Sequence, residues 1–206
     1  MAGGADILGA MSAAGRAREL REEAELALSL AAPLPPPGAD AALVVLSGLP
    51  GAGKSTFARR LREAVPLAVL ESDALRASLA PAPSYSRAES RRVFEAVHAA
   101  AASLLAERIR ALIDATNLIE RERAILYRVA GDARARLIMV RVTAPLEVIR
   151  ERIARRAASD PAAAGMLVLE RMRRREERIA TAHRVVDTSG DIQPAVTAVA
   201  REITGR

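Results

Sequence analysis

The chain of 206 residues is half hydrophobic, contains no cysteine and carries a formal net charge of +6 at neutral pH. This length suits one domain with an added arm, and the missing cysteines exclude a disulfide framework, a zinc–thiolate cluster and a thiol nucleophile. No apolar run is long enough to cross a membrane and no secretory leader pattern is visible, so we expect a cytoplasmic protein without membrane contact. The basic charge is compatible with nucleic acid or with any phosphorylated ligand.

Residues 1–40 are predicted to form an arm outside the main domain, which then spans 41–206. Ile7 to Leu30 has the apolar spacing of a helix, and the proline-rich stretch 32–40 ends that helix and forms a stiff linker. The helix is expected to pack back on the core, to pair with another subunit in an oligomer, or to contact a partner. The sequence leaves these three alternatives open.

The stretch from Leu43 to Thr56 joins a buried strand to a phosphate-binding loop. Leu43 to Leu46 is short, apolar and β-branched, and the following residues Gly48, Gly53, Lys54 and Ser55 fit the pattern G-x-x-x-x-G-K-[ST]. Glycines let backbone N–H groups turn towards a phosphate, and the helix that starts here, ending near Ala64, points its positive end at the anion. Lys54, the only lysine of the chain, is predicted to reach the β- and γ-phosphates, and the Ser55 hydroxyl to hold Mg²⁺.

A second predicted strand, Leu67 to Leu70, delivers Asp73 and Arg76 to the carboxyl edge of the sheet, where ligands bind in open parallel sheets. The two residues are three apart, so a helical turn is expected to place both on one face. Asp73 is interpreted as the base that takes a proton from an acceptor hydroxyl, and Arg76 as the cation that grips phosphate or substrate. The alternative is that Ser72 and Asp73 cap a helix and that Arg76 lies on the surface.

Asp114 follows a third predicted strand, Ala111 to Ile113. An acidic residue at a strand end beside a phosphate-binding loop is typical of a second Mg²⁺ holder, and Thr116 and Asn117 offer hydrogen-bonding groups next to it. The alternative is an aspartate that only caps its loop. Before this strand, Ser86 and Glu89 predict a capping box for a helix over 87–107.

Two arginine-rich helices are predicted near the end of the chain. One begins at Pro145 and places Arg152 and Arg156 on one face, and the other spans Met166 to Ala180, with residues 158–165 between them. Such a pair is typical of a lid that closes over phosphates, lying here at about 150–180. The alternative is a solvated surface whose arginines pair with interleaved glutamates.

The remaining pattern completes an α/β domain. Strands are predicted at Arg136 to Val142 and Arg184 to Val186, and helices at Glu120 to Val129 and Ile192 to Ile203. The expected fold is a P-loop NTPase with a doubly wound, five-stranded parallel sheet, a helical lid and an N-terminal helix.

Together these motifs resemble the P-loop kinases of the polynucleotide-kinase-like group, also described as AAA-type ATP-binding proteins, whose relatives include zeta-toxin-type and small-sugar kinases. The resemblance rests on segments 48–56, 72–76, 114–117, 150–156 and 186–190. It implies ATP and Mg²⁺ as cofactors and transfer of the γ-phosphoryl group to an alcohol.

Carried over position by position, the resemblance implies four sets of site residues. The catalytic set is Lys54, Asp73, Arg76 and Arg156. The cofactor-binding set is Gly48, Gly51, Ala52, Gly53, Lys54, Ser55, Thr56, Arg152, Arg155 and Thr188, with Arg152 against the adenine and Arg155 as an alternate. The acceptor set is Asp73, Arg76 and Asn117, and the metal set is Ser55 and Asp114.

The sequence leaves the acceptor open. A polynucleotide 5′-hydroxyl, a sugar, a nucleoside and a small antibiotic are all compatible with the motifs, and the scarcity of aromatic residues argues against a single strand as ligand. A different class of function is a nucleotide-dependent regulatory ATPase that uses its N-terminal helix as a partner surface.

Overall fold

Five short strands, most of them apolar, form one sheet in which all neighbours are parallel. The computed structural model describes residues 13–80, 82–159 and 165–205. Its strands lie in the order β2-β3-β1-β4-β5. They are β1 Ala42–Ser47, β2 Ala68–Glu71, β3 Ala111–Asp114, β4 Arg136–Thr143 and β5 Arg184–Asp187. The predicted doubly wound five-stranded sheet is confirmed.

Eight helices in the described residues cover the two faces of this sheet and its carboxyl edge. They are α1 Ala13–Leu30, α2 Lys54–Ala64, α3 Ser72–Leu79, α4 Arg87–Ala106, α5 Glu120–Asp132, α6 Leu146–Ser159, α7 Met166–Arg173 and α8 Gln193–Thr204. Successive side chains of a strand point to opposite faces, so β1 feeds two cores. Leu43 and Val45 pack with α1, α4 and α5, whereas Val44 and Leu46 pack with α2, α6 and α8.

Helix α7 ends at Arg173, seven residues before the predicted end at Ala180. The chain beyond it leaves the helix because its backbone bonds elsewhere: the N–H of Glu177 donates to the carbonyl of Leu118 over 2.9 Å. The prediction extended the basic, helix-favouring composition too far, since it lacked this tertiary partner. The predicted start of the first helix at Ile7 lies outside the described residues.

The capping box at the start of α4 is only half formed. The Ser86 hydroxyl accepts from the N–H of Glu89 over 3.2 Å, as predicted. The Glu89 carboxylate does not return to Ser86 but bonds to Ser84 and Arg76. The Glu89 carboxylate therefore bonds to the loop before α4 and to a side chain of α3.

Helix α1 packs back along α4, which is one of the three alternatives left open by the sequence. Its small residues Ala24 and Ala27 are buried in the core. Buried Glu23 pairs with Arg92 of α4, which also lies 2.9 Å from Glu19. Apart from the undescribed gaps, every helix between residues 13 and 205 is too short or too polar to span a bilayer.

The contact of α1 with α4 generates a stability prediction. Glu23→Ala should lower the free energy of unfolding by about 2 kcal/mol, because it removes a buried charge pair whose arginine stays half hydrated. Urea unfolding followed by circular dichroism measures the loss. The matched control is Glu22→Ala on the exposed side of the same helix, where a change within about 0.5 kcal/mol is expected. Equal losses in the two variants would show that the Glu23 pair adds nothing.

Candidate active site

A cleft opens at the carboxyl edge of the sheet, where β1, β2 and β3 end and the direction of strand succession reverses. In open α/β sheets this position is where ligands bind. The cleft is lined by Pro50, Gly51, Gly53, Lys54, Ser55, Thr56, Glu71, Ser72, Asp73, Tyr85, Asp114, Ala115, Thr116, Arg156 and Met172. The structure thus brings together most of the residues predicted to bind phosphate and metal.

The loop between β1 and α2 needs glycine at two places. A Cβ on Gly48 would lie 2.2 Å from the carbonyl oxygen of Val142, and a Cβ on Gly53 would lie 2.7 Å from the Thr188 hydroxyl oxygen. Gly53 also has φ +92°, which favours glycine. Neighbouring atoms therefore pack too closely against both positions to admit a side chain. The loop leads into the N-terminus of α2, which is an anion-binding arrangement.

Lys54 is buried at the start of α2, and its Nζ donates to the carbonyl of Leu49 over 3.0 Å. This hydrogen bond thus links the two ends of the phosphate-binding loop. Burial lowers the pKa of Lys54, and the carboxylates of Asp114 and Asp73 oppose that shift by favouring the charged form. The Lys54 side chain therefore bonds within its own loop and lies within electrostatic range of two carboxylates.

Asp114 and Ser55 form a pair suited to a divalent cation. Ser55 and Asp114 both line the cleft, and burial raises the pKa of Asp114 against the opposing effects of Lys54 and Ser55. Hydroxyl and carboxylate oxygens are ligands that Mg²⁺ takes, together with substrate phosphates. The residues present therefore fit the cation that the sequence motif implies.

Glu71 is a third acid of the cleft that sequence reasoning missed. It ends β2 in register with Asp114 on β3, so the two side chains occupy neighbouring positions of the same edge. Burial, Asp114 and Asp73 all raise the pKa of Glu71. Its place as the last strand residue, two before Asp73, was the available signal.

Asn117 lies behind the cleft rather than in its lining. It is fully buried, has φ +43°, and donates from Nδ2 to the carbonyl of Leu46 over 2.7 Å. The Ser47 hydroxyl donates to the Asn117 carbonyl, and the Gly48 N–H donates to the carbonyl of Thr116, each over 3.0 Å. Asn117 therefore ties the end of β3 to the phosphate-binding loop, in contrast to the predicted contact with the acceptor.

Arg76 and Asp73 do not share the cleft. Asp73 is exposed to it, whereas Arg76 is 4% exposed, bonds to Glu89 and lies under the ring of Tyr85. Burial would raise the pKa of Glu89, but hydrogen bonds from Ser84 and Arg76 outweigh it and lower the pKa to about 2. Asp73 and Arg76 therefore do not share a helix face as predicted. Asp73 is exposed, whereas Arg76 is buried and paired inside the protein.

The arginines of α6 differ in what they contact. Arg152 donates to the hydroxyl and the carbonyl of Thr188, each over 2.8 Å, and to the carbonyl of Gly51 over 3.3 Å. A second part of the cleft lies here, lined by Gly51, Gly53, Thr56, Arg60, Arg152, Arg156, Thr188, Gly190, Asp191 and Ile192. Arg156 lines both parts, whereas exposed Arg155 lines neither. Ala52 and Gly48 are buried and act through the backbone of the loop.

Arg123 of α5 is a fully buried guanidinium that sequence reasoning also missed. It donates to the carbonyl of Asn117 over 2.8 Å, to the carbonyls of Glu177 and Arg178 over 3.1 and 2.8 Å, and to the carboxylate of Glu120 over 2.6 Å. It thus joins the loop after β3 to the segment that returns from α7. Its spacing from buried Leu126 and Ala130 on the inner face of α5 was the available signal.

The fold and this cleft together define an α/β domain of the P-loop NTPase type. Residues 43–179 match the family described as the AAA domain, and the chain belongs to that family. Among curated proteins, no sequence matches the chain.

Solved structures share the fold. The chain is 24% identical to Kti12 of Chaetomium thermophilum in complex with ADP-AlF3, covering 79% of this chain and 97% of that one, with a TM-score of 0.66. It is 20% identical to the APS kinase CysC of Mycobacterium tuberculosis in complex with AMPPNP and APS, covering 84% and 100%, with a TM-score of 0.61. It is 20% identical to a gluconokinase of Sinorhizobium meliloti 1021, covering 80% and 92%, with a TM-score of 0.58.

The low pKa of Glu89 generates a pH prediction. Glu89→Gln should cost about 2 kcal/mol of unfolding free energy at pH 7, a typical loss for hydrogen bonds to a charged group. Because the folded-state pKa is depressed to about 2, the stabilisation is complete above the ordinary carboxyl pKa of 4.5 and is lost as pH falls towards 2. The difference between variant and wild type should therefore shrink below that ordinary pKa, as measured by urea unfolding across the pH range. Glu95→Gln on the same helix is the control, and a difference independent of pH would contradict the assignment.

The buried guanidinium of Arg123 generates a second prediction. Arg123→Met should cost about 3 kcal/mol or more, because three backbone carbonyls and a carboxylate lose their donor inside the protein. Arg121→Met, on the exposed side of the same helix, should change stability by about 0.5 kcal/mol or less. Thermal unfolding compares the two variants, and similar melting temperatures would refute the role of Arg123 as a structural link.

Proposed function

We propose that this protein is an ATP- and Mg²⁺-dependent kinase that transfers the γ-phosphoryl group to the hydroxyl of a small acceptor. One observation carries the proposal: Asp73 faces the same cleft as Lys54, Ser55 and Asp114. A carboxylate beside a phosphate-binding loop is the arrangement that hydroxyl phosphorylation requires, since the attacking oxygen must lose a proton near the γ-phosphate.

Each residue has a defined task in this reaction. Ser55 and Asp114 would hold Mg²⁺, which would supply positive charge to offset that of the phosphates. Lys54 places its ammonium against the β- and γ-phosphates, and Arg156 adds a second cation from α6. Asp73 accepts the proton of the acceptor hydroxyl. Helices α6 and α7 limit the access of water to the transferring group.

The nucleotide is proposed to extend into the second part of the cleft. Arg152 and Thr188 brace the loop there through hydrogen bonds to Gly51 and Ala52. In that arrangement Arg152 holds the wall beside the adenine rather than moving freely over the base. Thr56 lines both parts of the cleft and suits the α-phosphate.

The comparisons support a kinase with a small acceptor. The similar structures include an APS kinase, a gluconokinase and a sugar kinase, and two of the solved complexes contain AMPPNP or ADP-AlF3. A polynucleotide 5′ end is less compatible, because its phosphodiesters would approach the carboxylates of Glu71 and Asp73.

The proposal is tested with γ-labelled ATP, Mg²⁺ and a panel of acceptors: sugars, nucleosides, 5′-hydroxyl oligonucleotides and no acceptor. Asp73→Asn should lower kcat by about 10²- to 10⁴-fold, the usual contribution of a general base. Asp132→Asn, an exposed change at the end of α5, should leave the rate unchanged. Nucleotide binding is followed separately, as protection of Lys54, the only lysine, from an amine-reactive reagent.

Three results would contradict the proposal in different ways. Full activity of Asp73→Asn would remove the proposed base. Label on oligonucleotide ends alone would replace the small acceptor with a nucleic acid. Hydrolysis that no acceptor stimulates, with Lys54 still protected by ATP, would favour a nucleotide-dependent regulatory ATPase.

A further inference from the structure

Arg76 is an internal cation at the acceptor end of the cleft. Its residue is 4% exposed, and its Nη1 bonds to the carboxylate of Glu89, whose other oxygen accepts from the N–H and hydroxyl of Ser84 over 2.7 and 2.6 Å. The charge of Arg76 is therefore matched inside the protein. It is not among the residues that line the cleft.

The outer side of Arg76 is covered by Tyr85, which does line the cleft. The Cζ of Arg76 lies 4.8 Å from the centre of the Tyr85 ring, a cation–π distance. The carbonyl of Tyr85 accepts from Arg171 of α7 over 3.2 Å. Tyr85 thus contacts α3 through its ring and α7 through its carbonyl group.

The charges of the cleft that Tyr85 lines disfavour an anionic acceptor. Glu71 and Asp73 line the same cleft, and both are carboxylates. Among its described lining residues the cations are Lys54 and Arg156, which the proposed function assigns to the nucleotide phosphates. An acceptor with its own phosphate would meet two like charges there, and the described residues that line the cleft offer it no further cation.

Resting on the proposed kinase function, we propose that Arg76 is a positioning residue that holds Tyr85 as the wall of the acceptor pocket, and that the acceptor is an uncharged ring compound rich in hydroxyls. A sugar or nucleoside places one ring face on Tyr85 and offers its hydroxyl to Asp73. The pocket thus combines an aromatic wall with a few fixed polar groups, as small-molecule sites usually do. Phosphorylated acceptors are excluded by charge.

The positioning role is testable without knowing the acceptor, because the chain has two tyrosines and no tryptophan. In a Tyr127→Phe background, Tyr85 is the only strong intrinsic fluorophore. Arg76→Met should raise its quenching by acrylamide by about twofold or more, since the ring loses its cation–π partner, and Arg76→Lys should restore part of the protection. Arg62→Met on α2 is the matched control.

Unchanged quenching in Arg76→Met would overturn the positioning role. If that variant does not fold by circular dichroism, Arg76→Gln in the same background replaces it. This second variant removes the cation but keeps an amide that can donate to Glu89, and it should also expose Tyr85. Unchanged quenching there would overturn the role equally.

The acceptor class is tested with matched pairs: adenosine against adenosine 3′-monophosphate, and glucose against glucose 1-phosphate. With γ-labelled ATP, the neutral member should have a kcat/KM about tenfold or more above that of its phosphorylated partner, which is about 1.4 kcal/mol. Tyr85→Ala should raise the KM for the acceptor while leaving the KM for ATP unchanged.

Preference for the phosphorylated member would overturn the proposed acceptor class. Label on no member, while ATP still protects Lys54, would instead overturn the proposed kinase function. In that case the quenching experiment still decides the role of Arg76, so the two failures are distinguishable.

Discussion

The phosphate-binding loop depends on one steric constraint: the chain at Gly48 passes directly over the end of β4. A side chain there would meet the carbonyl of Val142 at 2.2 Å, and that atom is backbone, which cannot move aside cheaply. The same residue donates its N–H to Thr116 beyond β3. The loop is therefore fixed to both strands that flank β1, and this is what places Lys54 and Ser55 against Asp114.

From this constraint a continuous set of hydrogen bonds leads to the segment that follows α7. Asn117 holds the strand before the loop, Arg123 holds Asn117, and the same guanidinium holds the carbonyls of Glu177 and Arg178. The segment that returns from α7 is thus anchored to the loop that follows Asp114. Buried polar networks of this kind fix one arrangement because each unsatisfied member would be costly. The anchored end gives α7, with Arg171 and Met172, a defined position beside the cleft.

Sequence reasoning succeeded where the signal was local and failed where the partner was distant. The strand over Leu43–Leu46, the glycine-rich loop and the acid at the end of β3 follow from periodicity and spacing, and the parallel sheet follows from their alternation with helices. Arg76 illustrates the failure. Its spacing from Asp73 suggested a shared face, but the carboxylate of Glu89 and the ring of Tyr85, both more distant in sequence, turn it inward. Arg123 and the early end of α7 were hidden for the same reason, since a helix-favouring, charged segment does not show which carbonyls it will meet.

The contrast between local signals and distant contacts also bears on how the proposed kinase would select its acceptor. Solved structures with this fold include kinases named for different acceptors, so the sheet and the phosphate-binding loop do not choose the acceptor. For the proposed kinase, the choice would come from cleft side chains outside the phosphate-binding loop, among them Glu71, Asp73, Tyr85 and Met172. Two of them are carboxylates and one is an aromatic ring backed by a neutralised arginine. A cation that is paired before any ligand arrives gains little from an anionic ligand, because binding would first require the existing ion pair to break. In the proposed kinase, the pairing of Arg76 with Glu89 would therefore act on specificity by withholding a charge from the acceptor pocket.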